Sequence, residues 1–214
     1  MSAPPKTVIA TTPHEEAAIR VAVRNADVSK IRPACVRAAE AHVPALVDLL
    51  ADPRVSGPIY DLPRPITTET VSEWVRDAQA KNERGECLLT VTPDREGRLI
   101  TYSRFTIWPA RTAAEIAGAY RADAQGAGLG KAGAANSFDW MFNELGVKLI
   151  CVTAALDNER SARVIEAAGF RPMGEREGVR PDGSTRPSRY WEMTRNGTGG
   201  ADWHRDGPSL PPAQ

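Results

Sequence analysis

Two features of the sequence have the residue types and spacing to do chemistry: a glycine-rich loop at 125–131, and a lone carboxylate shortly before it. The loop reads Gln-Gly-Ala-Gly-Leu-Gly-Lys, and the carboxylate, Glu115, lies inside the small apolar run 113–120. Glycines let the backbone approach an anion closely, and the first N–H groups of a following helix point at its charge. Apolar residues then recur at helical spacing at Phe138, Met141, Phe142 and Leu145. The pattern predicts a strand, an anion-binding loop and a helix.

The spacing of the glycines decides which phosphate-containing ligand the loop fits. The phosphate loop of nucleoside triphosphatases needs G-x-x-x-x-G-K-[ST], but Gly126 and Gly130 stand too close together, and Ala132 replaces the hydroxyl residue. Residues 128–133 do satisfy the dinucleotide pattern G-x-G-x-x-G. That match alone is weak evidence, because polar residues separate the loop from the strand and little chain remains after Asp157 for further strand–helix units.

A third pattern, Q/R-x-x-G-x-G/A, fits residues 125–130 without a gap. In this respect the sequence resembles the GCN5-related N-acetyltransferase (GNAT) family, whose loop binds the pyrophosphate of acetyl-coenzyme A. A second stretch, Asn158, then Ser161, a helix and the closing pair 169–170, looks like the later signature of that family. The resemblance covers roughly residues 31–195 and is closest to the ribosomal-protein N-acetyltransferase branch.

The resemblance implies acetyl-coenzyme A as co-substrate and no metal ion. It places the backbone of Tyr120, five residues before Gln125, near the acetyl carbonyl, and the loop amides against the pyrophosphate. Asn158 would orient the cofactor, cap the following helix, or do both. The implied cofactor-binding residues are Tyr120, Gln125, Gly126, Ala127, Gly128, Leu129, Gly130, Lys131 and Asn158.

Glu115, Ser161 and Asn158 are the candidate catalytic residues. Glu115 is the candidate base or water-orienting carboxylate, because a charge inside an apolar strand is costly unless it reaches water or a partner. A surface glutamate in a salt bridge is the alternative. Many members of the resembling family place a tyrosine general acid where this chain has Ile165. Ser161 is the substitute, with a serine bonded to the helix backbone as the alternative.

The expected reaction is direct acetyl transfer from a thioester to a primary amine. An α-amine with a pKa of about 7.8 is neutral roughly one time in ten at pH 7, whereas a lysine amine near 10.4 is neutral roughly once in 2,500. A weak base therefore favours a peptide N-terminal or small-molecule α-amine as acceptor. Two other functions stay open: a non-catalytic acyl-coenzyme A sensor or pseudo-enzyme, and an NAD(P)-binding oxidoreductase that uses the loop 128–133.

The elements that must position these residues form a single-domain α/β protein. The resemblance implies a mixed sheet with antiparallel N-terminal strands, a parallel splayed pair at the cofactor site, and flanking helices. Proline and glycine exclude regular structure from 51–66, and Thr70 with Glu73 has the spacing of a capping box that begins a helix. Strands are predicted at 30–34, 87–92, 99–108, 113–120 and 149–153, with a final hairpin formed by 171–177 and 189–194.

Composition limits the remaining possibilities. Among the 214 residues, Lys+Arg and Asp+Glu both number 27, so no net charge attracts the chain to nucleic acid or a membrane surface. No apolar run approaches a membrane span, and residues 1–10 lack a signal-peptide pattern, so we expect a cytoplasmic protein. We expect a flexible extension at 1–27 with a short ordered piece at 19–23, an acetyltransferase domain at 28–195 and a disordered tail at 196–214. An exposed final strand would permit a homodimer.

Overall fold

A computed structural model describes residues 3–125, 129–180 and 182–195, without the side chains of 129–131. The helices are α1 (Pro13–Asn25), α2 (Val43–Ala51), α3 (Pro53–Ser56), α4 (Thr68–Glu83), α5 (Leu129–Glu144) and α6 (Glu159–Ala167). The strands are β1 (Val36–Arg37), β2 (Cys87–Pro93), β3 (Leu99–Trp108), β4 (Ala113–Tyr120), β5 (Leu149–Ala155), β6 (Arg171–Val179) and β7 (Thr185–Thr194).

The strands form one seven-stranded mixed sheet in the order β1-β2-β3-β4-β5-β7-β6. β4 and β5 are parallel, and the other neighbouring pairs are antiparallel. The parallel ladder is short: it begins at Ala113 opposite Leu149 and ends at Glu115 opposite Cys151. Beyond that point β4 and β5 diverge, while each keeps its antiparallel neighbour on the other side. The predicted splayed pair is therefore confirmed.

Helices cover both faces of the sheet. On one face, Phe105 and Ile150 pack in a core with Val23 of α1, Met141 of α5 and Ile165 of α6. On the other face, a second core joins β2 and β3 to helices α2 and α4, through Leu89, Tyr102, Leu46, Val71 and Trp74. The single-domain α/β fold and the hairpin between β2 and β3 are as predicted.

The first part of the chain differs from the flexible extension expected at 1–27. Helix α1 begins at a capping box, in which the Thr12 hydroxyl accepts from the Glu15 N–H and the Glu15 carboxylate accepts from the Thr12 N–H. Its Ile19 and Val23 are buried in the core. Only these two apolar positions, one turn apart, face the core, so the sequence shows no sustained helical period. Packing against the core, rather than the intrinsic helix propensity of its residues, stabilises this helix.

Three further boundaries differ from prediction. The first strand lies at 36–37 rather than 30–34, because a 3₁₀ turn and a left-handed residue, Ala34 with φ of 62°, precede it. A four-residue helix, α3, interrupts the loop 51–66. Helix α4 is capped by Thr67 with Thr70, not by Thr70 with Glu73. The predicted tail at 196–214 lies outside the described residues.

Candidate active site

A cavity of about 990 Å³ opens where β4 and β5 part. The diverging strands contribute the stretches 116–120 and 152–155 to its wall. Helix α5 contributes Gly133 and Ser137, and the start of α6 contributes Asn158 and Ser161. The loop 57–61 and the hairpin residues Arg180 and Arg186 line the cavity as well.

The free edge of β4 is the feature that gives this cavity its polar backbone wall. Residues 116–120 pair with β3 on one side, but within the described chain their other edge has no strand partner. Gly118 keeps the pairing with β3 tight, because a Cβ at that position would lie 2.5 Å from the carbonyl oxygen of Tyr102. A strand edge without a partner offers N–H and C=O groups that can pair with an extended segment, so a ligand with amide groups fits this edge.

Tyr120, predicted to lie near the acetyl carbonyl through its backbone, also has a defined side-chain role. Its hydroxyl accepts a hydrogen bond of 2.8 Å from Nη1 of Arg32, and the Arg32 guanidinium lies 5.4 Å from its ring centre. The ring packs against α5 at Gly133, where a Cβ would lie 2.0 Å from the tyrosine oxygen. The last glycine of the G-x-G-x-x-G pattern is therefore explained by packing. Arg32, which also lines the cavity, was missed from the sequence.

Gln125 joins the end of β4 to the start of α6. Its Nε2 donates to the carbonyl of Tyr120 at 2.9 Å, and its Oε1 accepts from Nη1 of Arg160 at 3.1 Å. The neighbouring predicted residues Gly126, Ala127 and Gly128 lie outside the described chain, and Leu129, Gly130 and Lys131 open helix α5. The N-terminus of this helix, where the free N–H groups lie, thus follows Gln125 as the anion-binding prediction requires.

Asn158 and Ser161 lie together at the start of α6, on the cavity wall. Asn158 is the N-cap residue, and its Oδ1 accepts a hydrogen bond of 3.0 Å from the N–H of Ser161. The capping alternative for Asn158 is therefore what the structure contains. Ile165, in the position of the usual tyrosine, is buried and lines the same cavity.

Glu115 is buried, with 5% of its surface exposed, so it is not a surface glutamate. It stands at the last paired position of the parallel ladder, opposite Cys151. Thr153, which lines the cavity, donates a hydrogen bond of 3.3 Å from its hydroxyl to Oε1 of Glu115. Burial raises the pKa of the Cys151 thiol well above its usual value, and the neighbouring Glu115 charge adds to this effect. Cys151 is thus a neutral, inert neighbour of the carboxylate.

Tyr102 and Asp61, not predicted from the sequence, form a polar patch on the cavity wall near β3. Asp61 is 8% exposed and lies 3.5 Å from Nη1 of Arg104, whose side chain is 14% exposed. The Tyr102 hydroxyl is buried and has no hydrogen-bond partner among the described residues. Burial raises its pKa well above the ordinary value, so the hydroxyl keeps its proton. It can donate to a ligand.

Two arginines of the β6–β7 hairpin, Arg180 and Arg186, line the cavity. Arg186 donates from Nη1 to the carbonyl of Pro58 at 2.7 Å, and its guanidinium lies 5.3 Å from the ring centre of Tyr60. The hairpin and the loop 57–61 therefore close one end of the cavity together.

A family profile described as acetyltransferase (GNAT) domain matches residues 34–171, which is more than half of the chain. The chain belongs to the GNAT acetyltransferase family. A search of curated protein sequences gives no significant match. The dinucleotide interpretation of the loop is therefore abandoned, and the GNAT chain is an acyltransferase.

Solved structures share the fold of this GNAT protein at low sequence identity. Ribosomal-protein-S5-alanine acetyltransferase from Vibrio fischeri superposes with a TM-score of 0.64 at 16% identity, covering 76% of this chain and 92% of its own. Mycobacterium smegmatis RimJ, solved in complex with coenzyme A disulfide, has a TM-score of 0.63, 17% identity and coverages of 75% and 81%. Spermidine N-acetyltransferase from Vibrio cholerae, in complex with coenzyme A and spermine, has a TM-score of 0.64, 15% identity and coverages of 76% and 95%.

The site fits acetyl-coenzyme A, the acyl donor of GNAT acetyltransferases. The free edge of β4 can pair with the amides of the pantetheine arm, and Arg32 and Arg160 place positive charge beside the loop that would hold the phosphates. Among the described residues, there is no cluster of three or more His, Cys, Asp or Glu side chains that could hold a metal ion. No helix in that part of the chain is long and apolar enough to cross a bilayer.

Proposed function

We propose that this protein is an acetyl-coenzyme A-dependent N-acetyltransferase that transfers the acetyl group directly to a primary α-amine, of a peptide N-terminus or a small molecule. The observation that carries the proposal is the divergence of β4 and β5 after Glu115, which within the described chain leaves the edge 116–120 free, next to α5 where Tyr120 packs on Gly133. Bound acetyl-coenzyme A supplies the thioester. The chain supplies binding, orientation and proton transfer.

The backbone of β4 carries the electrostatic part of catalysis in this proposal. Preorganised N–H groups stabilise developing negative charge without reorganising, and the unpaired edge that ends at Tyr120 offers such groups. Gln125 holds the Tyr120 carbonyl, which fixes the end of the strand. Asn158 positions the first turn of α6, and with it the Ser161 hydroxyl, at the opposite wall.

Proton removal from the incoming ammonium group is assigned to Glu115 acting through Thr153. Thr153 lines the cavity and its hydroxyl donates a hydrogen bond to Oε1 of Glu115, so in this proposal the hydroxyl accepts a proton from the amine as it passes its own to the carboxylate. This arrangement suits an α-amine, since such a group needs little help to lose its proton near neutral pH. A hydrogen bond from the Ser161 hydroxyl is proposed to stabilise the departing thiolate, which leaves as the anion near neutral pH.

The first experiment measures release of free coenzyme A from acetyl-coenzyme A with a panel of amines. The panel contains peptides with free N-termini, lysine peptides with blocked N-termini, polyamines, amino acids and aminoglycosides. We expect turnover with free peptide N-termini or small α-amines. Turnover with only lysine peptides or only polyamines would overturn the acceptor assignment.

A non-catalytic acyl-coenzyme A sensor is the second candidate, favoured by Ile165. This buried side chain lines the cavity where many family members place a tyrosine, and it has no proton to donate. A thiol has a pKa of about 8.5, however, so a thiolate can leave near neutral pH without an acid. Tight coenzyme A binding without turnover on any amine would favour the sensor.

A further inference from the structure

The charged residues of the cavity are not balanced, although the chain as a whole is neutral. Among the described residues, five arginines line the cavity, against two carboxylates, Asp61 and Asp157. Two of these charges are already paired with residues outside the lining: Asp61 with Arg104, and Arg54 with Asp52. The arginines are Arg32, Arg54, Arg160, Arg180 and Arg186. Such a cavity favours anionic ligands.

The phosphates of coenzyme A would account for the arginines at only one end of the cavity. Arg160 is bonded to Gln125, and Arg32 to Tyr120, so both lie beside the cofactor loop. Arg180 and Arg186 belong to the other end, where the β6–β7 hairpin meets the loop 57–61. Positive charge there faces the acceptor rather than the acyl donor.

Arg186 is the best placed of these groups to bind an anion. Nη1 donates to the Pro58 carbonyl and the guanidinium packs on Tyr60, which fixes the side chain. Its Nε is buried and has no hydrogen-bond partner within the described residues. No ion pair among those residues includes Arg186. A fixed guanidinium in the cavity wall without an ion-pair partner favours an anionic ligand, which would bind it through charge-assisted hydrogen bonds.

The electrostatics of Arg186 agree with this geometry. Burial lowers the pKa of its guanidinium, and the positive charge of Arg180 lowers it further, against weaker opposing effects from Tyr60, Asp157 and Asp61. The guanidinium stays charged, because an arginine titrates far above neutral pH. An anionic group beside it would relieve the repulsion between the two arginines.

We propose that the acceptor of this enzyme carries a carboxylate close to its α-amine, and that Arg186 binds that carboxylate. The inference rests on the proposed function and specifies its substrate class. Arg186 acts as a specificity-determining residue: it holds the acidic group while the α-amine reaches Thr153 and the end of β4. Recognition of this kind distinguishes an acidic acceptor from its neutral amide.

The test compares acceptors that differ only in charge. Ala-Glu amide and Ala-Gln amide have the same α-amine, and the α-amides of glutamate and glutamine, which lack the α-carboxylate, repeat the comparison for small molecules. We expect kcat/KM to be about tenfold to a hundredfold higher for the acidic member of at least one pair, the range of a charge-assisted hydrogen bond. The pair with the larger ratio shows whether the acceptor is a peptide or an amino acid. Equal values in both pairs overturn the inference but not the acetyltransferase.

Arg186 variants connect the preference to the residue. In Arg186→Gln, the ratio of kcat/KM for the acidic acceptor to kcat/KM for the neutral one falls to about one. The KM for acetyl-coenzyme A stays within about twofold of the wild-type value. Arg186→Lys keeps part of the ratio, since a lysine retains the charge without the fixed fork. Arg171→Gln, an exposed arginine of the same hairpin outside the cavity, leaves the ratio unchanged. A ratio that persists in Arg186→Gln assigns the preference elsewhere and overturns the proposal.

A binding measurement separates this inference from the proposed function. The probes are N-acetyl-Ala-Glu amide and N-acetyl-Ala-Gln amide, titrated into the protein saturated with coenzyme A. Tighter binding of the acidic probe, lost in Arg186→Gln, supports the anion site even if no acceptor turns over. Equal or absent binding of both probes overturns it.

Discussion

The hydroxyl of Thr153 donates a hydrogen bond of 3.3 Å to Oε1 of Glu115, and of these two residues it is the threonine that lines the cavity. Glu115 lies behind it, 5% exposed, at the point where the parallel ladder ends. The Glu115 carboxylate is thus connected to the cavity through the Thr153 hydroxyl. The role of each residue can be tested separately.

Glu115→Gln should lower kcat at pH 7 by about a hundredfold, the usual contribution of a general base. The loss should shrink as the pH rises past the pKa of the acceptor α-amine, about 7.8, because solvent then removes the proton. The dissociation constant of coenzyme A should stay unchanged. The measurement is the pH profile of kcat; a profile identical to that of the wild type removes Glu115 as the base.

Thr153→Val should lower kcat by about tenfold, because the carboxylate remains but its connection to the cavity is lost. Thr92→Val is the matched control, a buried strand threonine that does not line the cavity. Both variants remove one hydroxyl from the sheet. A comparison of their kcat values at equal fold stability therefore isolates the contribution of proton transfer through Thr153 to Glu115. Equal effects of the two substitutions would contradict a role for Thr153 in catalysis.

Tyr102→Phe should stabilise the fold and slow the reaction. The Tyr102 hydroxyl is buried without a partner among the described residues, and leaving such a group unpaired costs about 1–3 kcal/mol. Removing it should therefore raise the free energy of unfolding by about 1 kcal/mol, while kcat/KM for the acceptor falls by about tenfold if the hydroxyl donates to the acceptor. Urea denaturation and steady-state kinetics give the two numbers. A less stable, fully active variant would show that the hydroxyl serves packing.

Glu15 ties helix α1 to the start of β5 through an ion pair with Lys148. The hydrogen bond from Lys148, followed by those from Thr12, lowers the pKa of Glu15 from 4.5 to about 2. Since the folded-state pKa is below the unfolded value, the contribution is present above pH 4.5 and is lost as the pH falls towards 2. Glu15→Gln should therefore melt below the wild type at pH 7 but not at pH 2.

The control for this measurement is Glu83→Gln, an exposed glutamate outside the ion pairs of the described chain. Its melting temperature should follow that of the wild type at every pH. A gap between Glu15→Gln and the wild type that stays constant from pH 7 to 2 would exclude the ion pair as its cause.

The parts of the fold that the sequence predicted are those with local signals. The run 113–120, the loop and the helix that follows are contiguous, so strand period, glycine spacing and helical period are all visible in one stretch. The second signature around Asn158 is local in the same way. Helix α1 was predicted only as a short ordered piece at 19–23, because its core contact consists of Ile19 and Val23 alone and its packing partners lie far away in the chain.

The acceptor end of the site could not be read from the sequence, because separate elements build it. Asp61 comes from a proline-rich loop, Tyr102 from β3, Thr153 from β5 and Arg186 from β7. Each looks ordinary among its sequence neighbours, and only the sheet register brings them to one cavity. A buried tyrosine hydroxyl without a partner has no signature in a sequence pattern at all.

Gly133→Ala gives a test of the contact between α5 and the end of β4. Alanine normally stabilises a helix interior relative to glycine by about 1 kcal/mol, but here the new Cβ would lie 2.0 Å from the Tyr120 hydroxyl and 3.2 Å from Nη2 of Arg32. The ring must move, which breaks the 2.8 Å hydrogen bond from Arg32 and disturbs the cofactor end of the cavity. We expect the KM for acetyl-coenzyme A to rise about tenfold. We also expect the stabilisation that alanine normally gives a helix to be lost.

Tyr120→Phe in the same chain supplies the matched rescue. It removes the oxygen that the new methyl group meets and leaves the ring carbon Cζ at 3.2 Å, a distance that small shifts can relieve. The double variant should therefore recover most of the affinity for acetyl-coenzyme A that Gly133→Ala loses, whereas Tyr120→Phe alone should lose only the contribution of the Arg32 bond. Additive losses in the double variant would show that Gly133 acts through something other than Tyr120. Recovery would show that Gly133 is needed for the close packing of helix α5 against β4, the strand with the free edge.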